Sequence, residues 1–153
     1  MLYADANFVV AAHFRQPDRF PAVQRYLRLA GAPILVSDLA EFECRAVFAR
    51  LEGSADGSGW RVLMQRLEAA SGWRRGVVPW PDALQRAHRL VERFAPRLVA
   101  GSLDTLHVAG ALLLDCTTFL SFDTDSRARV LATSAGLRVW PELSAAEKAG
   151  VLR

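Results

Sequence analysis

Apolar residues fall along this chain in two alternating kinds of run. Leu2–Ala4, Pro33–Val36 and Thr117–Phe122 are short, nearly unbroken apolar or β-rich stretches, with Gly76–Val78 and Leu137–Trp140 as shorter versions. Runs of that length and density predict strands buried on both faces. The segments between them follow helical spacing. Helices are predicted over Asn7–His13, over the stretch after Asp18 carrying Phe20, Val23, Tyr26, Leu27 and Ala30, and from Ser37-Asp38 onward. Further ones are predicted over Trp60–Ala70, Pro81–Phe94, Ser102–Asp115, Ser126–Ala135 and Ser144–Leu152. Punctuation agrees with the pattern: Gln16-Pro17-Asp18 breaks the first helix and Gly31 stops the second. Asp18, Ser102 and Asp125 are the expected caps of their helices, and Asp38 with Glu41 has capping-box spacing. The glycine-rich Glu52–Gly59 reads as an exposed loop. Strands alternating with helices predict an α/β fold on a parallel sheet.

Four acidic residues occupy special places in this pattern. Asp5 leaves the first strand, and Asp123 comes first off the strand ending at Phe122. Asp104 lies in the first turn of a helix apolar nearly all round, where a negative charge complements the helix dipole. Glu43 falls one turn from Leu39 and from Val47, on the face with Phe42, Ala46 and Leu51. An inward carboxylate is costly unless paired or metal-bound, so Glu43 is either a site residue or a partner of an arginine such as Arg50. Open parallel sheets place their ligand crevice beyond the carboxyl ends of the strands. The four acids can converge there as a divalent-metal site able to cleave RNA. Asp125 is equally a further ligand or a cap. His107, one turn beyond Asp104, reads as a metal ligand, a general base or a hydrogen-bonded core residue.

Composition narrows the classes without choosing among them. At 153 residues and 52% hydrophobic content, the chain suits one globular domain, residues 1–153. No apolar run reaches membrane-span length and no basic leader opens the chain, so a soluble, cytoplasmic protein is expected. Cys44 and Cys116 form no CxxC and are expected to be buried free thiols. The net charge of +3 permits an anionic partner. All but Lys148 of the 19 basic residues are arginine, which suits phosphate contacts or reflects coding bias.

Together these residues resemble a known family. Asp5 after an opening strand, Ser37 ahead of Glu43, Leu103-Asp104-x-x-His107-x-Ala109-x-Ala111, and Phe119-Leu-Ser-Phe-Asp123 before Leu131-Ala132-x-x-x-Gly136-Leu137 are similar to PIN-domain ribonucleases, above all the VapC-type toxins of toxin–antitoxin operons. The resemblance implies a three-layer α/β/α sandwich around a parallel sheet and endonucleolytic cleavage of RNA with Mg²⁺ or Mn²⁺. It also implies a small antitoxin partner and a homodimer. Asp5, Glu43, Asp104 and Asp123 match the family's metal-binding acids, and Asp125 a less regular extra one. Asn7 matches a supporting polar position, usually Ser or Thr there, and Ser37 a second. Ala46 departs from the pattern, standing where many relatives have Asn.

Phosphodiester hydrolysis calls for an activated water and neutralisation of charge on phosphorus oxygens, which one hard divalent ion or two would supply. Two other readings compete. One is a catalytically silent PIN-like RNA-binding or regulatory module. The other is a phosphoryl-transfer fold of the receiver or dehalogenase type, which relies on a positioned lysine, whereas Lys148 lies in the tail. No GxxxxGK or GxGxxG occurs, which removes the nucleotide-binding readings.

Overall fold

The computed structural model of the protein describes residues 1–14, 18–52, 58–69 and 72–152. Its central strand is β1 (Leu2–Ala4). On one side lie β2 (Ile34–Ser37) and β3 (Trp73–Gly76), on the other β4 (Thr118–Leu120) and β5 (Arg138–Trp140). The order is β3-β2-β1-β4-β5 and every pairing is parallel. The helices are α1 (Ala6–His13), α2 (Phe20–Leu29), α3 (Asp38–Glu52), α4 (Ser58–Ala69), α5 (Trp80–Phe94), α6 (Ser102–Leu113), α7 (Ala128–Ser134) and α8 (Ala145–Ala149).

Successive strand side chains point to opposite faces, and the two cores follow. Leu2, Ala4, Ile34 and Val36 pack against Phe8 and Val9 of α1, Cys44 and Phe48 of α3, and Trp60 and Met64 of α4. Tyr3, Leu35 and Phe119 face the other way, onto Leu90 and Phe94 of α5, Val108 and Ala109 of α6, and Leu131 of α7. The result is the expected α/β/α sandwich. The chain builds outward from β1 to β3, then crosses through α5 and α6 to β4 on the far side of β1. The carboxyl ends of β1 and β4 thus flank a topological switch point, where such sheets bind ligands. A receiver-type sheet, ordered 2-1-3-4-5, would pair its first strand with its third; here β1 pairs with β2 and β4, which excludes the receiver order.

Several element ends differ from expectation because a backbone group found another partner. β3 runs over Trp73–Gly76 in register with Ile34–Ser37, while the Val78 amide leaves the sheet and donates to Asp38 Oδ1 at 3.1 Å. Asp38 also accepts from Trp80 Nε1 at 2.9 Å, so it ties α3 to the β3–α5 connection rather than forming a capping box. Ser37 caps α3 instead, its Oγ accepting from the Ala40 amide, and Glu41 pairs with Arg45 and Arg75. Arg19, not Asp18, precedes α2, which starts on Phe20-Pro21 with no side-chain cap. Gly101 replaces Ser102 as the cap of α6, and Arg127 replaces Asp125 ahead of α7. The last helix shrinks to Ala145–Ala149 behind a Ser144–Glu147 capping box. Gln16, Pro17 and most of the Glu52–Gly59 loop lie outside the described residues. Cys44 and Cys116 are buried free thiols. No helix among the described residues is long and apolar enough to cross a membrane.

One buried charge anchors the segment that carries Asp123. Arg129, 2% exposed, donates Nη1 to the Ser121 carbonyl at 2.9 Å and Nη2 to the carbonyls of Pro141 and Glu142, both at 3.0 Å. Its Nε lies 2.9 Å from Glu147 Oε1, an ion pair whose partners are nearly dry. Removing one partner of such a pair strands the other charge. Arg129→Met is therefore expected to lower unfolding free energy by about 3–5 kcal/mol, read as a drop in the urea midpoint. A loss within experimental error would mean that the carbonyl cradle, not the guanidinium, holds this end of the sheet.

Candidate functional site

The end of β1 is finished by its own acid. Asp5 is the N-cap of α1, with extended backbone (φ −77°, ψ 171°), and Oδ1 accepts from the Phe8 amide at 2.9 Å. Asn7 then stitches β1 to β4: its Nδ2 donates to Asp5 Oδ2 at 3.0 Å, and its Oδ1 accepts from the Phe122 amide at 2.6 Å. Beyond β4 the chain turns on Asp123, whose Oδ1 accepts from the amides of Asp125 and Ser126, each at 3.0 Å. This is an Asx-type turn. Asp104 is the third helical residue of α6, with Oδ2 accepting from the Gly101 amide at 3.2 Å. A Cβ at Gly101 would lie 2.8 Å from that oxygen, so a side chain there would push the Asp104 carboxylate aside.

Glu43 differs somewhat from its predicted placement. The buried face of α3 carries Leu39, Ala40, Cys44 and Phe48, while Phe42 and Leu51 are 66% and 61% exposed. Glu43 therefore stands at the edge of the core, facing a cleft rather than the interior. Its partner is His107, not Arg50: His107 Nε2 lies 2.6 Å from Glu43 Oε2. The other ring nitrogen, Nδ1, is 2.8 Å from the Tyr3 hydroxyl, which is 2.6 Å from Ser37 Oγ. His107 is thus the hydrogen-bonded core residue among its three readings, and it also touches the site.

Asp5, Glu43, Asp104 and Asp123 all line one cleft of about 450 Å³ at the switch point. Asn7 and His107 line it too, Val10, Phe42 and Val47 give it an apolar wall, and Arg19 and Arg50 complete the lining. Ser37 is reached only through Tyr3. Asp125 is exposed and does not line the cleft. Sequence reasoning singled out neither Arg19 nor Tyr3 and named Arg50 only as a partner for Glu43; the available signal for Tyr3 was a hydroxyl on the central strand, between Leu2 and Ala4.

Electrostatics in the cleft are unfavourable. Burial, more than the nearby Glu43 charge, pushes the Asp5 carboxyl up to about 6, against opposing hydrogen bonds from Ser121 and the Phe8 amide. Burial and then the charge of Asp123 also raise Asp104. Among the described residues, no lysine or arginine forms an ion pair with any of the four acids. Nor do three His, Cys, Asp or Glu side chains among them approach closely enough to make a ready-formed metal cage. Oxygen-only donors spread around a wet cleft fit a hard divalent ion that retains several waters. They do not fit a soft or tetrahedral site.

The Asp5 shift carries a sign. Its folded value of about 6 lies above the ordinary 3.8, so the folded state holds its proton more tightly than the unfolded state does. This contribution to stability is complete below about pH 4 and is lost as pH rises through about 6. Thermal melts of the metal-free chain in EDTA are expected to show a falling midpoint across that window, flattened in Asp5→Asn. Identical pH profiles for the two proteins would contradict the assignment.

The family model for the PIN domain matches residues 2–131. No curated protein sequence gives a significant match. Among solved structures, VapC20 of Mycobacterium tuberculosis, described as a sarcin–ricin loop cleaving toxin, is similar with a TM-score of 0.64 at 17% identity, over 90% of this chain and 96% of that one. VapBC2 of Rickettsia felis, bound to a promoter DNA fragment, gives 0.65 at 15% identity over 91% and 97%. FitAcB of Neisseria gonorrhoeae gives 0.57 at 19% identity over 91% and 96%. At such identities the structural likeness speaks for the fold, and the family match covers all four cleft acids. The chain belongs to the PIN domain family.

Proposed function

We propose that the protein is a metal-dependent endoribonuclease and the toxin of a toxin–antitoxin pair. The observation that carries this reading is the convergence of four carboxylates, from four separate elements, on one cleft with no guanidinium among the described residues paired to any of them. Two unit charges about 4 Å apart at an effective dielectric of 20 repel by about 4 kcal/mol, so such a group favours a cation. Asp5, Glu43, Asp104 and Asp123 would hold Mg²⁺ or Mn²⁺, with Asn7 steadying Asp5 and Ser37 acting through Tyr3. Bound there, the ion supplies a water of lowered pKa and charge neutralisation at phosphorus. Arg19 and Arg50 are placed to meet the RNA backbone, as guanidiniums pair well with phosphate. Asp125, outside the cleft, is a solvent-side residue in this scheme. The named structural relatives support a small antitoxin as partner, and a homodimeric, single-domain, cytoplasmic protein is the accompanying expectation.

One observation favours a catalytically silent RNA-binding or regulatory module instead: the acids are not already drawn together as a cage. Metal and activity measurements separate the two. Asp5→Asn and Asp104→Asn are each expected to reduce RNA cleavage at least a hundredfold while circular dichroism stays native, and EDTA is expected to abolish cleavage reversibly. Full activity in both variants, or cleavage indifferent to EDTA, would sink the nuclease reading.

A further inference from the structure

A continuous chain of hydrogen bonds runs from the interior to one of the cleft acids. Ser37 Oγ, Tyr3 Oη, His107 Nδ1, His107 Nε2 and Glu43 Oε2 follow one another at 2.6, 2.8 and 2.6 Å across the three gaps. Tyr3, Ser37 and His107 are 0%, 0% and 4% exposed, so water does not substitute for these partners. Proton placement then follows from valence. An ionised Glu43 can only accept, so Nε2 carries the ring proton. Nδ1 of a neutral imidazole is then an acceptor, the Tyr3 hydroxyl is its donor, and Ser37 donates to the Tyr3 oxygen. Ser37 Oγ keeps a lone pair for the Ala40 amide, which it already caps at 3.1 Å. Every group is satisfied once. A doubly protonated ring would reverse the chain and leave the Ser37 proton seeking another acceptor.

We propose that Tyr3 and Ser37 are positioning residues: through Nδ1 they hold the His107 ring in place, so that its Nε2–H fixes one oxygen of Glu43 and leaves the carboxylate oriented for a divalent ion in the cleft. This rests on the nuclease reading given above. The geometry explains two features that packing leaves open. A phenol sits on the central strand of the sheet, where a phenylalanine would fill the same space against Phe119, its ring stacked at 5.6 Å. A histidine also occupies a position on α6 flanked by apolar residues, where only a partnered ring is tolerated. The chain joins residues from β1, β2 and α6 to α3, so a carboxylate from one helical layer is oriented by a side chain from the other. Supporting partners of this kind commonly change metal affinity by 10- to 100-fold when removed.

Tyr3→Phe tests the proposal because it deletes one oxygen and keeps the ring. Two measurements on the full chain at fixed pH decide it. Long-range ¹H–¹⁵N spectra report imidazole tautomers and hydrogen bonds, with the His107 signals identified by their loss in His107→Asn; wild type is expected to show Nε2–H with a hydrogen-bonded Nδ1, and Tyr3→Phe the same tautomer with the Nδ1 signal moved by loss of its donor. Calorimetric titration with Mn²⁺ is expected to show roughly tenfold weaker binding in Tyr3→Phe. Phe119→Leu disturbs the packing of Tyr3 without touching its hydroxyl, and is expected to bind Mn²⁺ as wild type does. A wild-type Nδ1–H tautomer, or equal Mn²⁺ affinity in wild type and Tyr3→Phe, overturns the relay while the nuclease reading stands. Equal weakening in Phe119→Leu assigns the effect to packing and overturns it as well. A wild-type chain that binds no Mn²⁺ overturns the nuclease reading, and the purpose given to the relay falls with it.

Discussion

Four like charges around one cleft oppose folding, and the architecture has to hold them there. Asp5 illustrates the cost: nearly dry, its carboxyl is pushed up to about 6, with desolvation the largest cause and Glu43 adding to it. Asp104 is shifted the same way by burial and by Asp123. A fold selected for stability alone would pair a guanidinium directly with one of them or replace Asp5 with an uncharged cap. The chain instead meets the oxygens with backbone amides: Phe8 for Asp5, Gly101 for Asp104, Asp125 and Ser126 for Asp123. Amide donors stabilise a carboxylate without cancelling its charge. The negative potential of the cleft is thereby retained.

The same amides explain why the acids sit where they do. A helix start and an Asx-type turn both present unpaired N–H groups, and parallel strands feed such starts at their carboxyl ends. Crossing from β3 back past β1 to β4 brings two of these ends side by side. Asn7 closes the seam, bonding to Asp5 on one strand exit and to the Phe122 amide at the other. Arg129 secures the far end from beneath, through the Ser121 carbonyl. Sheet order, caps and charge placement are therefore one arrangement seen at three scales.

Much of this was legible in the chain before any coordinates. Apolar runs and their spacing located four of the five strands and the helices between them, because buried parallel strands and amphipathic helices leave different periods; β3, the polar Trp73–Gly76, shares only Gly76 with the stretch expected. The four acids drew notice because each stood at a strand exit, a helix start or an inward helix face, and all four line the one cleft. What the sequence concealed were choices among competing local partners. Ser37 and Asp38 are adjacent and both suit a cap; only the Trp80 indole and the Val78 amide, some forty residues on, decide that Asp38 is engaged elsewhere. Gly101 takes the cap position ahead of Ser102, and its amide donates to Asp104 three residues on. Glu43 was placed on the right helix, but its partner proved to be His107 rather than an arginine, since helical spacing ranks neighbours on one helix and is silent about the opposing layer. Arg129 escaped notice for the same reason: its acceptors are carbonyls, which carry no sequence signature.

Differences in how firmly the acids are held bear on how they would act together. Asp5 is fixed through both oxygens, and Asp123 accepts two amides on one. Asp104 has the Gly101 amide at 3.2 Å and the Ser126 side chain, and Glu43 a single imidazole. The firm pair belongs to the strand exits and the looser pair to α6 and α3. Repulsion alone would keep the looser acids back, consistent with the lack of a tight three-residue cluster among the described residues. For the proposed ion, β1 and β4 then supply a stationary wall, while the helices supply ligands that close on it by small side-chain movements. In such a site, affinity is governed by the looser ligands, whose ordering costs entropy on each binding event. Of these, Glu43 is the one whose freedom is already restricted by a chain of buried hydrogen bonds, and Asp104 is the one left to adjust.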